Sequence, residues 1–179
     1  MKVAPNFLLV MVALGLVVIS GCGGGGGSSP TPDVTAPKTA LVTLATATMD
    51  TIPSGTLITG YDVTIMLPPG VTVKSTTNAP QTDDGVVTVS AAAAGASILS
   101  VYTAATATTP GQVRILLAKG AGLSAGVFCT VNCDISAGSN PRTSDFAQPA
   151  YSVSGFDSVT NSTVDLSNQL NCAETVLLN

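Results

Sequence analysis

Between Gly111 and Ser136 the chain reads GQVRILLAKGAGLSAGVFCTVNCDIS. Val113, Ile115 and Leu117 alternate with other residues, a Gly/Ala/Ser stretch follows, and Val127, Cys129, Val131, Cys133 and Ile135 alternate again. Side chains of an extended backbone switch face at every residue, so this spacing is that of two half-buried strands joined by a turn, that is, a hairpin. The second strand then carries two cysteines among the apolar residues of one face.

The same grammar recurs from Lys38 onward. Val42 and Leu44 mark a first strand, and Leu57, Tyr61, Val63, Ile65 and Leu67 a longer second one. Pro68-Pro69-Gly70 must end that strand, because the prolines remove two backbone donors. Val71 and Val73 start another. Asp83-Asp84-Gly85 is a turn before Val87 and Val89, and Ile98 to Tyr102 follows as a strand. After the central pair, Tyr151, Val153 and Phe156, then Val164 and Leu166, then Thr175 to Leu178 add short strands. Eight or nine short strands between turn signals predict an all-β antiparallel sandwich. Ala91-Ala92-Ala93-Ala94 is helix material, but Gly95 and β-branched neighbours interrupt it, so a short helix and an extended segment both remain open there.

Composition narrows the function. Charged residues are 9% and aromatics 4%, and the 179 residues include no Trp and no His. Without histidine there is no Ser-His-Asp or Cys-His pair and no His-ligated zinc or iron site, so an enzyme is not expected. The formal net charge is −4; without a leader containing Lys2, five basic residues face ten acidic ones, a net of −5. A charge-poor, mildly acidic surface does not attract phosphate backbones, so nucleic acid is not an expected partner.

Residues 1–21 read as a processing segment. Lys2 supplies a positive start, Phe7 to Ile19 is an apolar run, and small residues follow. Ile19-Ser20-Gly21-Cys22 resembles the lipobox of bacterial lipoproteins. That resemblance implies that Cys22 becomes the lipidated first residue of the mature chain, which is then anchored to a membrane without spanning it. Gly23 after the cysteine is compatible with the outer membrane, so the expected address is the cell envelope, at the outer membrane or cell surface. Gly23 to Gly27, Ser28, Ser29 and the Pro-rich run to Pro37 make residues 22–37 a flexible tether. Residues 38–179 are then the folded domain.

Within that domain, Gly60-Tyr-Asp-Val-Thr-Ile-Met-Leu-Pro-Pro-Gly-Val, then Pro110-Gly-Gln-Val-Arg-Ile-Leu-Leu, then Gly120 to Ile135 resembles the cohesin domain and the related carbohydrate-binding modules. The likeness spans roughly Leu41 to Phe156. It implies a jelly-roll-like sandwich of about nine strands. It also implies a non-catalytic role, either protein–protein attachment or surface assembly through a flat face, or alternatively the holding of extracellular polysaccharide. Two departures matter: the chain lacks the row of exposed aromatics of cellulose-binding modules, and it carries cysteines that cohesins typically lack.

The remaining candidates are weighed residue by residue. Gly122-Leu-Ser124-Ala-Gly126 matches G-x-S-x-G, but the serine precedes a strand and has no histidine to activate it; a hairpin turn is the expectation. Export makes disulfides feasible for Cys129, Cys133 and Cys172. The first two lie about 13 Å apart along one strand, too far to bond unless the strand bends, so Cys172 is expected to partner one of them, and Cys133–Cys172 is the bridge chosen. Three cysteines without paired spacing do not make a zinc site. Asp83, Asp84, Asp134, Asp145 and Asp157 offer oxygen ligands, and related modules often hold a structural calcium; no D-x-D-x-D-G pattern appears, and solvated turn aspartates are expected, with no cofactor. Of Tyr61, Tyr102 and Tyr151, Tyr61 shares the core face of its strand. Exposed coplanar tyrosines favour polysaccharide, and a flat face without rings favours a protein partner. Asn161-Ser162-Thr163 fits a glycosylation acceptor, a coincidence beside a bacterial lipobox.

Overall fold

The computed structural model describes residues 36–76 and 80–179. The leader, Cys22 and the tether up to residue 35 lie outside the described residues. Ten strands follow in order: β1 Thr39–Thr48, β2 Thr56–Leu67, β3 Val71–Thr72, β4 Val87–Val89, β5 Ser97–Thr103, β6 Gly111–Leu123, β7 Gly126–Ile135, β8 Ala150–Asp157, β9 Ser162–Asp165 and β10 Leu170–Leu178. The first sheet runs β10-β1-β7-β3, with β4 also paired to β7; the second runs β5-β6-β2-β8-β9. Every pairing is antiparallel. One apolar cluster draws on both sheets, so the architecture is an all-β sandwich.

The elements form where alternation places one apolar face inward. In β2, Ile58, Tyr61, Val63, Ile65 and Leu67 are buried; in β6, Val113, Ile115 and Leu117 are. β2 ends at the Pro-Pro-Gly turn as expected: the Val71 N–H donates to the Pro68 carbonyl at 3.0 Å, and Gly70 adopts φ +80°. The alanine run resolves to a single 3-10 turn, Ala91–Ala93, with Gly95 at φ +74°.

One expectation is corrected. β6 and β7 do not form a hairpin. β6 pairs with β2 and β5 in the second sheet, while β7 pairs with β1, β3 and β4 in the first. Alternation is the same whether two strands share a sheet or face each other across a core, so the connection decides. Here Lys119 to Gly122 leave the ladder with β2, which passes from Gly60↔Ala118 to Ile58↔Leu123 through an irregularity. Gly122 at φ +94° and Gly126 at φ +124° then let the chain cross between the layers.

That crossing is tied at its centre. Phe128 occupies a bulge in β7, where the register with β1 slips between Leu44↔Cys129 and Ala45↔Val127. The slip turns both Phe128 and Cys129 inward, each 0% exposed. Phe128 stacks on Tyr61 of the opposite sheet with ring centroids 4.7 Å apart and planes at 30°. The Tyr61 hydroxyl donates to the Ser124 carbonyl at 2.9 Å in the crossover turn, and so accepts from the Thr46 hydroxyl of β1 at 3.2 Å. Burial raises its pKa above the ordinary phenol value.

Removing the hydroxyl by Tyr61→Phe leaves the buried Thr46 hydroxyl and the Ser124 carbonyl without this partner. The expected loss is about 1–3 kcal/mol, with Phe128→Ala costing about 3–5 kcal/mol, both read from urea unfolding. A Tyr61→Phe protein as stable as the wild type contradicts the role of the tie.

Candidate binding face

Because odd positions of β2 from Tyr61 to Leu67 point inward, the even positions form the outer face of the second sheet. Register sets two rows across it: Leu99–Leu116–Asp62–Ser152, and Val101–Arg114–Thr64–Ala150. Leu99 is 47% exposed. Beside these rows lies Gly60, at the irregularity of β2, where the Ser154 side chain closes over the backbone. A Cβ on Gly60 meets Ser154 Oγ at 2.6 Å, so no larger residue fits there without a shift.

Arg114 and Asp62 lie diagonally across β6 and β2 and make a two-point contact, Nε to Oδ1 at 2.9 Å and Nη2 to Oδ2 at 2.5 Å. It is the one salt bridge among the described residues. The hydrogen bond from Arg114, and then its charge, hold the Asp62 carboxyl below the usual range. Both side chains are solvated, so the pair adds at most about 1 kcal/mol to the fold. What it provides is an oriented pair of opposite charges in the middle of a mostly aliphatic and hydroxyl-bearing surface.

Two open, shallow depressions flank Asp62. One is lined by Asp62, Thr64, Arg114, Ala150, Tyr151 and Ser152. The other runs past Gly60, Leu116, Lys119 and Ser154. The tyrosines do not form a platform. Tyr61 is in the core; Tyr102 faces inward opposite Val113, its pKa raised by burial; Tyr151 is half-buried with its hydroxyl 3.5 Å from Asn171 Oδ1. Among the described rings only Phe156 is exposed, at 36%, paired with Leu57 at one end of the sheet.

The other residues singled out in the sequence fall elsewhere. Ser124 lies at the crossover turn and contributes its backbone, donating its N–H to the Ala92 carbonyl and accepting from Tyr61. The aspartates disperse. Asp83 accepts from Thr76, Asp145 from the Arg142 N–H, and Asp157 from Val159 and Thr160 within its own turn. Asp84 and Asp134 share a depression with the cationic Lys74 and with Asn132. No group of three or more His, Cys, Asp or Glu suited to a metal occurs among the described residues.

The Cys133–Cys172 bridge is corrected. All three cysteines of the sandwich are free and buried. Cys133 stands opposite Ala40 on one side of β1, and Cys172 opposite Thr46 on the other. Ala40 and Thr46 are about 20 Å apart along the strand, against the roughly 7 Å within which bonded Cα atoms lie. Cys129, opposite Leu44, is also across β1 from Cys172. Burial, the leading cause in each case, pushes the thiols of Cys129 and Cys133 up to about 12 and that of Cys172 up to about 11. Thiols so protonated do not react at neutral pH.

Titration with a thiol reagent at neutral pH is therefore expected to find none of these three cysteines in the folded protein and all three in guanidinium. A peptide linked through Cys172 in non-reducing mass spectrometry contradicts the register. Comparison of the chain with protein-family models, with curated proteins and with solved structures returned no match.

Proposed function

We propose that this chain is a non-catalytic, lipid-anchored protein of the cell envelope that displays its sandwich as a cohesin-like module for protein–protein attachment or surface assembly. The outer face of the second sheet is the attachment surface. The observation that carries this reading is the chemistry of that face: Leu99, Leu116 and Val101 lie to one side of the Arg114–Asp62 pair, Thr64, Ala150 and Ser152 to the other, and no aromatic ring stands in the rows. Protein interfaces favour an apolar centre with a few oriented polar groups, and arginine is enriched at their energetic centres. The lipobox at Cys22 supports the anchor, and the lack of histidine together with scattered carboxylates supports a role without catalysis.

One observation favours polysaccharide as a second reading. The depression lined by Asp62, Thr64, Arg114 and Ser152 offers a sugar several hydrogen-bonding groups, although the register with Val63 turns the Tyr151 side chain toward the core.

Immobilised protein lacking the lipid, exposed to solubilised envelope and to culture polysaccharide, is expected to retain a reproducible protein partner. Leu116→Asp and Arg114→Glu are each expected to weaken that capture at least about tenfold. Retention of glycan alone, lost in Asp62→Ala, moves the assignment to the second reading; capture unaffected by either face variant removes the outer face from consideration. Separately, Cys22→Ala is expected to release the protein from the membrane fraction, and a variant that stays membrane-bound overturns the anchor.

A further inference from the structure

Among the described residues, β10 is the end strand of the first sheet and pairs only with β1. Its ladder runs without a register shift from Leu170 to Leu178. The parity of its hydrogen bonds follows from its end, where Thr39 and Asn179 exchange backbone bonds of 3.1 and 2.9 Å. Odd residues of β10 therefore bond β1. The N–H and C=O groups of Cys172, Glu174, Val176 and Leu178 point the other way, toward the edge. The side chains of these even residues point inward. On β1 the inward residues Ala40, Val42 and Leu44 are at most 1% exposed. On β10, Leu170 and Cys172 are equally buried, but Glu174, Val176 and Leu178 are partly open to solvent. The inner side chains of β10 are thus fully covered near its start and partly covered from Glu174 onward.

Long open edges invite strand addition, and proteins block them with proline, lysine, bulges or an inward-pointing charge. β10 has no proline, no lysine and no bulge. It has one charged residue, Glu174, on its inner face. One carboxyl oxygen of Glu174 is buried without a hydrogen-bond partner.

We propose that the open edge of β10 pairs with the same edge of a second copy of this chain, and that the Glu174 carboxylate is the charge that opposes this pairing. A second copy is favoured by symmetry and by charge. An antiparallel strand edge is self-complementary about a twofold axis, and pairing about Glu174 sets Leu170 against Leu178, Asn171 against Leu177, Cys172 against Val176 and Ala173 against Thr175, all of them neutral side chains. The outer faces of β10 and β1 carry no charge that keeps two copies apart, and Leu177, 56% exposed, gains cover. Pairing centred on Glu174 sets two of these side chains together; pairing centred on Val176 sets each against Leu178 of the second copy. A carboxylate resists both arrangements and a neutral carboxyl resists neither.

Titration then controls the edge. Burial pushes the Glu174 carboxyl up to about 7. Around it are the Cys172 thiol on the same strand and the Cys133 thiol on β7; β1 presents Leu44, and the 3-10 turn Thr143–Asp145, with the acidic Asp145, packs on β10. Protonation is favoured in the folded chain and more so in the pair, so association strengthens as pH falls through this value.

Sedimentation velocity of the full chain in detergent, at about pH 5.5 and about pH 8.5, tests this. The wild type is expected to dimerise at least about tenfold more tightly at the lower pH, and Glu174→Gln to dimerise at both. Val176→Pro removes an edge donor and no bond to β1, and is expected to stay monomeric; Leu177→Lys is the alternative block if circular dichroism shows the proline variant misfolded. Monomeric wild type and Glu174→Gln at both values overturn the proposal. So does a dimer indifferent to Glu174→Gln, or one that neither block weakens. An edge that captures an extended peptide of another protein while the chain stays monomeric overturns the second copy as its occupant.

Discussion

The stack of Tyr61 on Phe128 is the contact on which the two layers depend. Sheets in a sandwich lie about 10 Å apart, and the aliphatic side chains of this core fill that gap only where they interdigitate. At the centre the gap is filled by two rings, one from each sheet, and the Tyr61 hydroxyl extends the contact to β1 and to the crossover turn. Each ring needs a local departure from regular pairing: a bulge at Phe128, and the irregularity at Gly60 just before Tyr61. A fold so poor in aromatic residues concentrates its cross-sheet packing at these two, and the glycines around them supply the backbone freedom.

Core parity then determines the surface. Once Tyr61, Val63 and Ile65 point inward, Asp62 and Thr64 point outward, and the partner strands bring Arg114, Leu116 and Ser152 beside them. The outer face is thus a by-product of burial, but its content is not. A single oppositely charged pair on an otherwise aliphatic and hydroxyl-bearing sheet contributes little to stability, and its chemistry suits recognition better than packing. Glu174 breaks the inward parity in the other direction, placing a carboxyl on a face otherwise made of apolar side chains, thiols and the Thr46 hydroxyl.

Much of this was legible in the residues because strand alternation is a local property. Most strands, the stop at Pro68-Pro69-Gly70, the turn at Asp83-Asp84-Gly85 and the burial of Tyr61 follow from spacing, whereas β10, expected over Thr175 to Leu178, begins at Leu170. What failed was non-local. A hairpin and a cross-sheet connection share one alternation pattern, so the partners of β6 and β7 were hidden. The proposed Cys133–Cys172 bridge failed for the same reason: both cysteines do face the core, but only register shows that β1 runs between them with their partners far apart along it. Arg114 and Asp62 are 52 positions apart, and neither carries a motif. The part of Ser124 is played by its carbonyl, which residue identity does not encode. Glu174 was readable in principle, as the one acidic residue on the apolar parity of the last strand.

The position of β1 has a mechanical consequence. The first strand of the sandwich is not at an edge; it is held by β7 on one side and β10 on the other, along nearly its whole length. The bonds of both ladders run across the strand. A pull directed along β1 loads many of these bonds at once instead of opening them singly. Tension arriving along that strand is therefore spread over the first sheet, and passes to the second both through the core and through the chain itself where β1 runs on into β2.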